Sequence, residues 1–113
     1  LTSPEVRFKP AFVAPDGGNN TFFGVDIAED PDDFPNFAGT SAAVAHAGAV
    51  AALMLQANPN LSPAEIYSIV QATALDMDDP ITPGFDRGFD FASGYGFINA
   101  ERAVGKARAS VPE

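Results

Sequence analysis

The longest apolar stretch of the chain runs from Ser41 to Ala57, Ser-Ala-Ala-Val-Ala-His-Ala-Gly-Ala-Val-Ala-Ala-Leu-Met-Leu-Gln-Ala, and carries no charge on any face. Strong helix formers dominate it, and a helix that is apolar all round is expected to be buried on every side. Its alanines, with Gly48, are expected to let neighbouring backbones approach closely. The stretch is interrupted by His46 and falls short of the roughly 18 to 20 residues that span a bilayer, which predicts a core element and no membrane partner. Asn58-Pro59 ends the helix, because the residue before proline disfavours helical backbone. Ser62-Pro63-Ala64-Glu65 opens a second helix, over 62–75, with a capping box and proline in the first turn. Its apolar residues Ile66, Ile69, Val70 and Ala74 fall on one stripe, so this helix is amphipathic and belongs at a surface. A loop over 76–98 passes through Ser93-Gly94-Tyr95-Gly96 into a third helix over 99–109, striped by Ala100, Ala103, Val104 and Ala107. The closing Ser110-Val111-Pro112-Glu113 is expected to fray.

Ahead of the first helix, residues 1–40 read as strand and loops. Val6 to Ala14 alternates in part, and Pro10 places it at a sheet edge or a strand entrance. Asp16-Gly17-Gly18-Asn19-Asn20 reads as an open loop. A short strand is expected over Thr21 to Val25, and Asp26 to Pro35 is too acidic and proline-broken to be regular. Two or three strands are too few to wrap a helix buried on all sides, since α/β domains cover a sheet on both faces. The pattern therefore predicts a piece of a larger domain, although 113 residues is an ordinary single-domain length.

Composition refines this in three ways. Fifteen acidic against six basic residues give a formal charge of −9, which argues against nucleic acid and anionic membranes as partners. The lack of cysteine excludes disulfide and zinc-thiolate frameworks. Leu1 in place of an initiator methionine, with no signal peptide, fits an excised or processed fragment. Two acidic groups, Asp26, Glu29, Asp30, Asp32 and Asp33 and then Asp76, Asp78, Asp79, Asp86 and Asp90, offer oxygens to calcium. Neither has the spacing of an EF-hand, and charge blocks of this kind ordinarily mark solvated segments. A single histidine supports no transition-metal site, so no metal and no cofactor are expected of this chain.

The candidate chemistry lies at Gly39-Thr40-Ser41, immediately before the apolar helix. A serine there is either a helix cap, its hydroxyl accepting from a free N–H of the first turn, or a nucleophile that uses those N–H groups and the helix dipole to hold an oxyanion. The tripeptide alone leaves both readings open.

Gly39-Thr40-Ser41-Ala42-Ala43-Val44-Ala45-His46 resembles the nucleophile segment of subtilisin-like serine peptidases, Gly-Thr-Ser-x-x-x-Pro-His, at the start of a central helix. Lys9-Pro10-Ala11-Phe12-Val13-Ala14-Pro15-Asp16-Gly17 is similar to a strand of the same family. Ala51-Ala52-Leu53, Asn58-Pro59-Asn60-Leu61-Ser62, Thr73-Ala74 and Gly94-Tyr95-Gly96-Phe97-Ile98-Asn99-Ala100 follow in the family's order and spacing. One departure is Ala45, where the family has proline, and Ala42 stands where some members carry methionine.

The resemblance implies an α/β fold: the C-terminal portion of a three-layer domain with a parallel sheet and a buried central helix that carries the nucleophile. It implies that Ser41 attacks a peptide carbonyl and donates its backbone N–H to the oxyanion, with Gly39, Thr40 and Ala42 beside the substrate. His46 lies five residues after Ser41, roughly 140° away at about 100° per helical residue, so it cannot serve as the base. It looks like the family's helix histidine, a packing residue with a buried hydrogen bond. The catalytic Asp and His and the oxyanion Asn are then expected upstream of Leu1, and the isolated chain is expected to be inactive. Implied partners are protein or peptide substrates and the upstream part of the same domain; calcium belongs to the parent domain if anywhere, and the family habit is secretion. The competing reading is a non-catalytic, subtilase-like binding or structural domain in which Ser41 is only a cap.

Overall fold

A computed structural model describes residues 3–111 of the chain. Its order is β1 (Gly18–Asn19), β2 (Asn36–Phe37), α1 (Thr40–Ala57), α2 (Pro63–Thr73) and α3 (Ala100–Ala109). The three helices fall where the periodicity and caps put them. Ser62 accepts from the Glu65 N–H at 3.3 Å, and the Glu65 carboxylate accepts from the Ser62 N–H at 2.7 Å, closing the capping box with Pro63 in the first turn. Asn99 caps α3 by accepting from the Arg102 N–H at 2.9 Å, and Lys106 and Arg108 occupy the last turn, where cations favour the helix dipole. The Asn58 N–H bonds back to the Met54 carbonyl at 2.8 Å, ending α1 before Pro59.

The core lies where the stripes meet: Val50 and Met54 from α1, Ile69 and Val70 from α2, and Ile98, Ala103 and Ala107 around α3. Met54 is fully buried. Alanines on α3 allow close approach to α1, and the Asn58 side chain ties the end of α1 to Ser110 at 3.0 Å. Residue Ser110 thus has a partner, whereas Pro112 and Glu113, also expected to fray, lie outside the described residues.

The sheet corrects the expectation. Among the described residues only two strands form, and they pair antiparallel, Gly18 with Phe37 and Asn19 with Asn36. Among the described residues there is no parallel sheet, and the helix carrying Ser41 is not a buried one. The strand expected over Val6–Ala14 reduces to one parallel bridge between Val13 and Phe97, and that over Thr21–Val25 to one bridge from Val25 to Asn36. Alternation makes a strand only where a neighbouring strand accepts its hydrogen bonds. Val13 finds Gly96 and Ile98 for its N–H and carbonyl, at 3.0 and 2.9 Å, and the Ala11 carbonyl accepts from the Tyr95 N–H at 3.0 Å, but among the described residues no further backbone bond extends this pairing into a strand. Conversely, β1 arises inside the expected open loop because the Asn36 side chain gathers that loop.

Helix α1 is also not buried on every side. Only Ala42, Val50 and Met54 are buried along it, while Val44 is 68% and Leu53 47% exposed. A Cβ added at Gly48 would meet nothing within 4 Å, so no backbone crosses closely there. The face of Ala43, Ala47 and Ala51 instead lines an open apolar cleft of about 710 Å³, whose other walls are Phe12 to Ala14 and Ile66, Tyr67 and Val70. With 18 residues the helix is long and apolar enough to cross a membrane by length and composition, contrary to the estimate from sequence; a core helix of a soluble protein passes the same test. The whole chain exposes 7908 Å², against about 5,900 Å² for a self-contained monomer of its mass. Its radius of gyration, 16.7 Å, exceeds the roughly 13 Å of a compact domain of this length.

Gly96 shows how the loop before α3 is fixed. Its φ is +111°, and an added Cβ would overlap the Leu75 carbonyl. That contact lets Leu75 and Phe97 exchange two backbone hydrogen bonds of 2.8 Å, which pin the end of α2 to the entrance of α3.

Candidate active site

Gly39 is the N-cap of α1, with φ +99° and ψ 177°, and no side chain caps this helix. The Gly39 carbonyl accepts from the N–H groups of Ala42 at 3.0 Å and Ala43 at 3.3 Å. Thr40 and Ser41 therefore occupy the first turn itself, ahead of any residue whose N–H is bonded within the helix. Among the described residues their N–H groups have no partner, which leaves the Ser41 donor and the positive end of an 18-residue helix facing outward. Ser41 is exposed, and its hydroxyl bonds nothing among the described residues, so it does not act as the cap. Gly39 and Thr40 are exposed beside it, whereas the Ala42 side chain is buried.

Two segments hold this turn. Asp16 reaches across from the loop before β1, and its Oδ1 accepts from the Gly39 N–H at 2.6 Å and from the Gly17 N–H at 2.7 Å. Behind it, Asn36 is 5% exposed and works as a hub. Its two Nδ2 hydrogens are shared among the Gly17 carbonyl, Asn19 Oδ1 and Asp30 Oδ2, at 3.1, 2.8 and 2.8 Å from the nitrogen, and its Oδ1 accepts from the Ile27 N–H at 3.1 Å. These bonds gather residues that are disjoint in sequence and set β1 beside β2, three residues before Gly39. Sequence reasoning missed both roles. Asp16 was legible only as part of a turn and a strand motif, and Asn36 carries no local signal because its partners lie 6 to 19 positions away.

His46 Nδ1 lies 2.9 Å from the Ala42 carbonyl, to which it donates as an N–H. The hydrogen bond agrees with a helix histidine, but the side chain is exposed and not buried; with Gly18, Phe22 and Phe37 it lines a second cleft of about 300 Å³. Ala45 faces the same cleft, and α1 runs unbroken through it. In the second acidic group three carboxylates hold their own loop: Asp76 accepts from the Gly88 N–H, Asp78 from the Asp86 N–H and Asp79 from the Ile81 N–H. Among the described residues no three His, Cys, Asp or Glu side chains come together as a metal site. Asp90 stands apart, because it accepts from the N–H and hydroxyl of Ser93 and the N–H of Ala92, and the Ser93 backbone bond first, then its hydroxyl, holds the carboxyl below its usual range.

Comparison with known proteins places this geometry. The profile of the subtilase family, peptidase S8, matches residues 1–96. A calcium-dependent protease of Trichormus variabilis is 40% identical over 79 residues, covering 69% of this chain and 12% of that protein. A subtilisin-like protease of Arabidopsis thaliana is 48% identical over 46 residues, 41% of this chain and 6% of that one. Among solved structures, fervidolysin from Fervidobacterium pennivorans, a keratinolytic enzyme related to subtilisin, superposes with a TM-score of 0.53 at 30% identity, over 67% of this chain and 10% of its own. The chain spans about a tenth of the length of these relatives or less. With the profile covering most of the sequence, including the Gly39-Thr40-Ser41 turn and the helix behind it, the chain belongs to the subtilase family of peptidases.

Proposed function

We propose that this chain is the C-terminal portion of one subtilisin-like catalytic domain and that it supplies the nucleophile of a serine endopeptidase. The observation that carries this reading is an exposed Ser41, not used as a cap, in the first turn of α1 with its own N–H unpartnered, in a chain of the subtilase family. In this reading Ser41 Oγ attacks the peptide carbonyl and the Ser41 N–H donates to the oxyanion that forms. Thr40 and Gly39 border the scissile peptide, and water later hydrolyses the acyl-enzyme. The base and its orienting acid come from upstream, because the single histidine, His46, bonds its own helix. An exposed surface larger than that of a self-contained monomer, with Val44 and Leu53 in it, and the small fraction of each relative that is spanned support a chain whose cleft and α1 face are covered by the rest of the domain. Protein or peptide substrates and an extracellular location follow from the same family reading.

Treating the full-length protein with a fluorophosphonate and mapping the adduct tests it: the label is expected on Ser41. A folded full-length protein that leaves Ser41 unlabelled overturns the catalytic reading and favours a non-catalytic subtilase-like domain.

A further inference from the structure

The Asp16 carboxylate makes a contact that neither the nucleophile motif nor the helix requires. A hydrogen bond of 2.6 Å from the Gly39 N–H joins positions 23 apart in sequence, and the same oxygen holds the Gly17 N–H. The arrangement is braced on both sides. Gly18 pairs with Phe37 in the β1–β2 ladder, and Asn36 Nδ2 donates to the Gly17 carbonyl, so the backbone carrying Asp16 is fixed to the backbone that leads into Gly39. Gly39 needs such a restraint. Its φ of +99° lies in a region where glycine is conformationally free, and its carbonyl starts the α1 hydrogen-bond ladder. Rotation at Gly39 would swing the Thr40–Ser41 turn, moving Ser41 Oγ and the Ser41 N–H together relative to a bound carbonyl.

From this juxtaposition we infer that Asp16 is a positioning residue for the nucleophile: through the Gly39 N–H it locks the turn that aims Ser41 and its oxyanion donor. The inference rests on the nucleophile reading of Ser41. A carboxylate near a helix N-terminus also favours the helix dipole through its charge. Asparagine keeps the Oδ1 acceptor and removes the charge, so it separates the two effects.

The test uses the full-length protein with wild-type, Asp16→Ala and Asp16→Asn sequences. Active sites are counted by fluorophosphonate titration, and kcat per titrated Ser41 and KM are measured on a peptide substrate. Loss of folded protein lowers the count; loss of aim lowers kcat per site. Asp16→Ala is expected to reduce kcat per site by about 10- to 100-fold with KM changed less than about threefold, as for a misplacement near 1 Å. Asp16→Asn is expected to recover kcat per site to within about threefold of wild type, since the neutral acceptor still bonds the amide. A labelled Asp16→Ala variant with wild-type kcat per site overturns the positioning role, and so does an Asp16→Asn variant as slow as Asp16→Ala. A wild-type protein that does not label overturns the nucleophile reading itself and the positioning role with it.

Discussion

Asn36 and Asp90 show how much rests on single polar side chains in this chain. Asn36→Ala removes every side-chain bond of the hub and leaves the Ile27 N–H unpaired next to a void. It is expected to lower stability by about 3 kcal/mol, read as a shift of the urea midpoint. Asp90 acts through its charge. Its folded-state pKa lies below the ordinary value, so its stabilisation is complete above about pH 4, the unfolded value, and disappears as the pH falls through the lower folded one. Asp90→Asn should flatten the acid limb of the stability curve below pH 4 when chemical denaturation is repeated across pH, and a limb unchanged in slope would contradict this. At Gly96 the limit is steric: Gly96→Ala drives a methyl into the Leu75 carbonyl at a φ closed to most residues, and is expected to cost about 3 kcal/mol or more. A sequence reader sees Asp90 and Gly96 in a turn-rich loop, but the Ser93 and Leu75 contacts that give them weight appear only in three dimensions.

At the scale of elements, the helices were legible and the strands were not. Ser62-Pro63-Ala64-Glu65 is a local device, complete within four residues, and the structure forms it as written. Ser62→Ala should lower stability by about 1 kcal/mol, the ordinary worth of a cap, in thermal or urea unfolding. The Glu65 carboxyl is held below its usual range first by the Ser62 hydroxyl and then by the Ser62 N–H, so this device also weakens as the pH falls below the ordinary Glu value. A strand is a different object, because its hydrogen bonds are supplied by residues that the strand's own sequence does not name. Val6–Ala14 has the composition of a strand and a partner only at Val13. Gly18–Asn19 has the composition of a loop and becomes a strand because Asn36 draws it in.

For the molecule as a whole, apolar surface is the decisive quantity. Burying a face of α1 requires layers that residues 3–111 do not supply, so the uniformly apolar helix ends with its Val44 side exposed above an apolar cleft. The proposed parent domain gives a direct expectation. In the full-length protein Val44→Asp should destabilise by about 2 to 4 kcal/mol, as for an unpaired polar group placed in a core. A fully exposed Val44 would tolerate the change within about 0.5 kcal/mol. Differential scanning fluorimetry of the two full-length proteins separates these outcomes, and an unchanged melting temperature counts against the covering layers.

What the sequence determined by itself was much of what neighbours along the chain govern: three helices, the capping box of α2, the apolar stripes of α2 and α3 and the placement of Ser41 at a helix start. Those features follow from interactions within about four residues, which sequence order fixes. The tertiary structure alone decided which strands exist, how little of α1 is covered, and that Asp16 and Asn36 hold the turn before Ser41. Each of these depends on hydrogen bonds or packing between segments far apart in sequence, and the partner that completes such a contact is set by the fold and not by the residue's own surroundings in the chain.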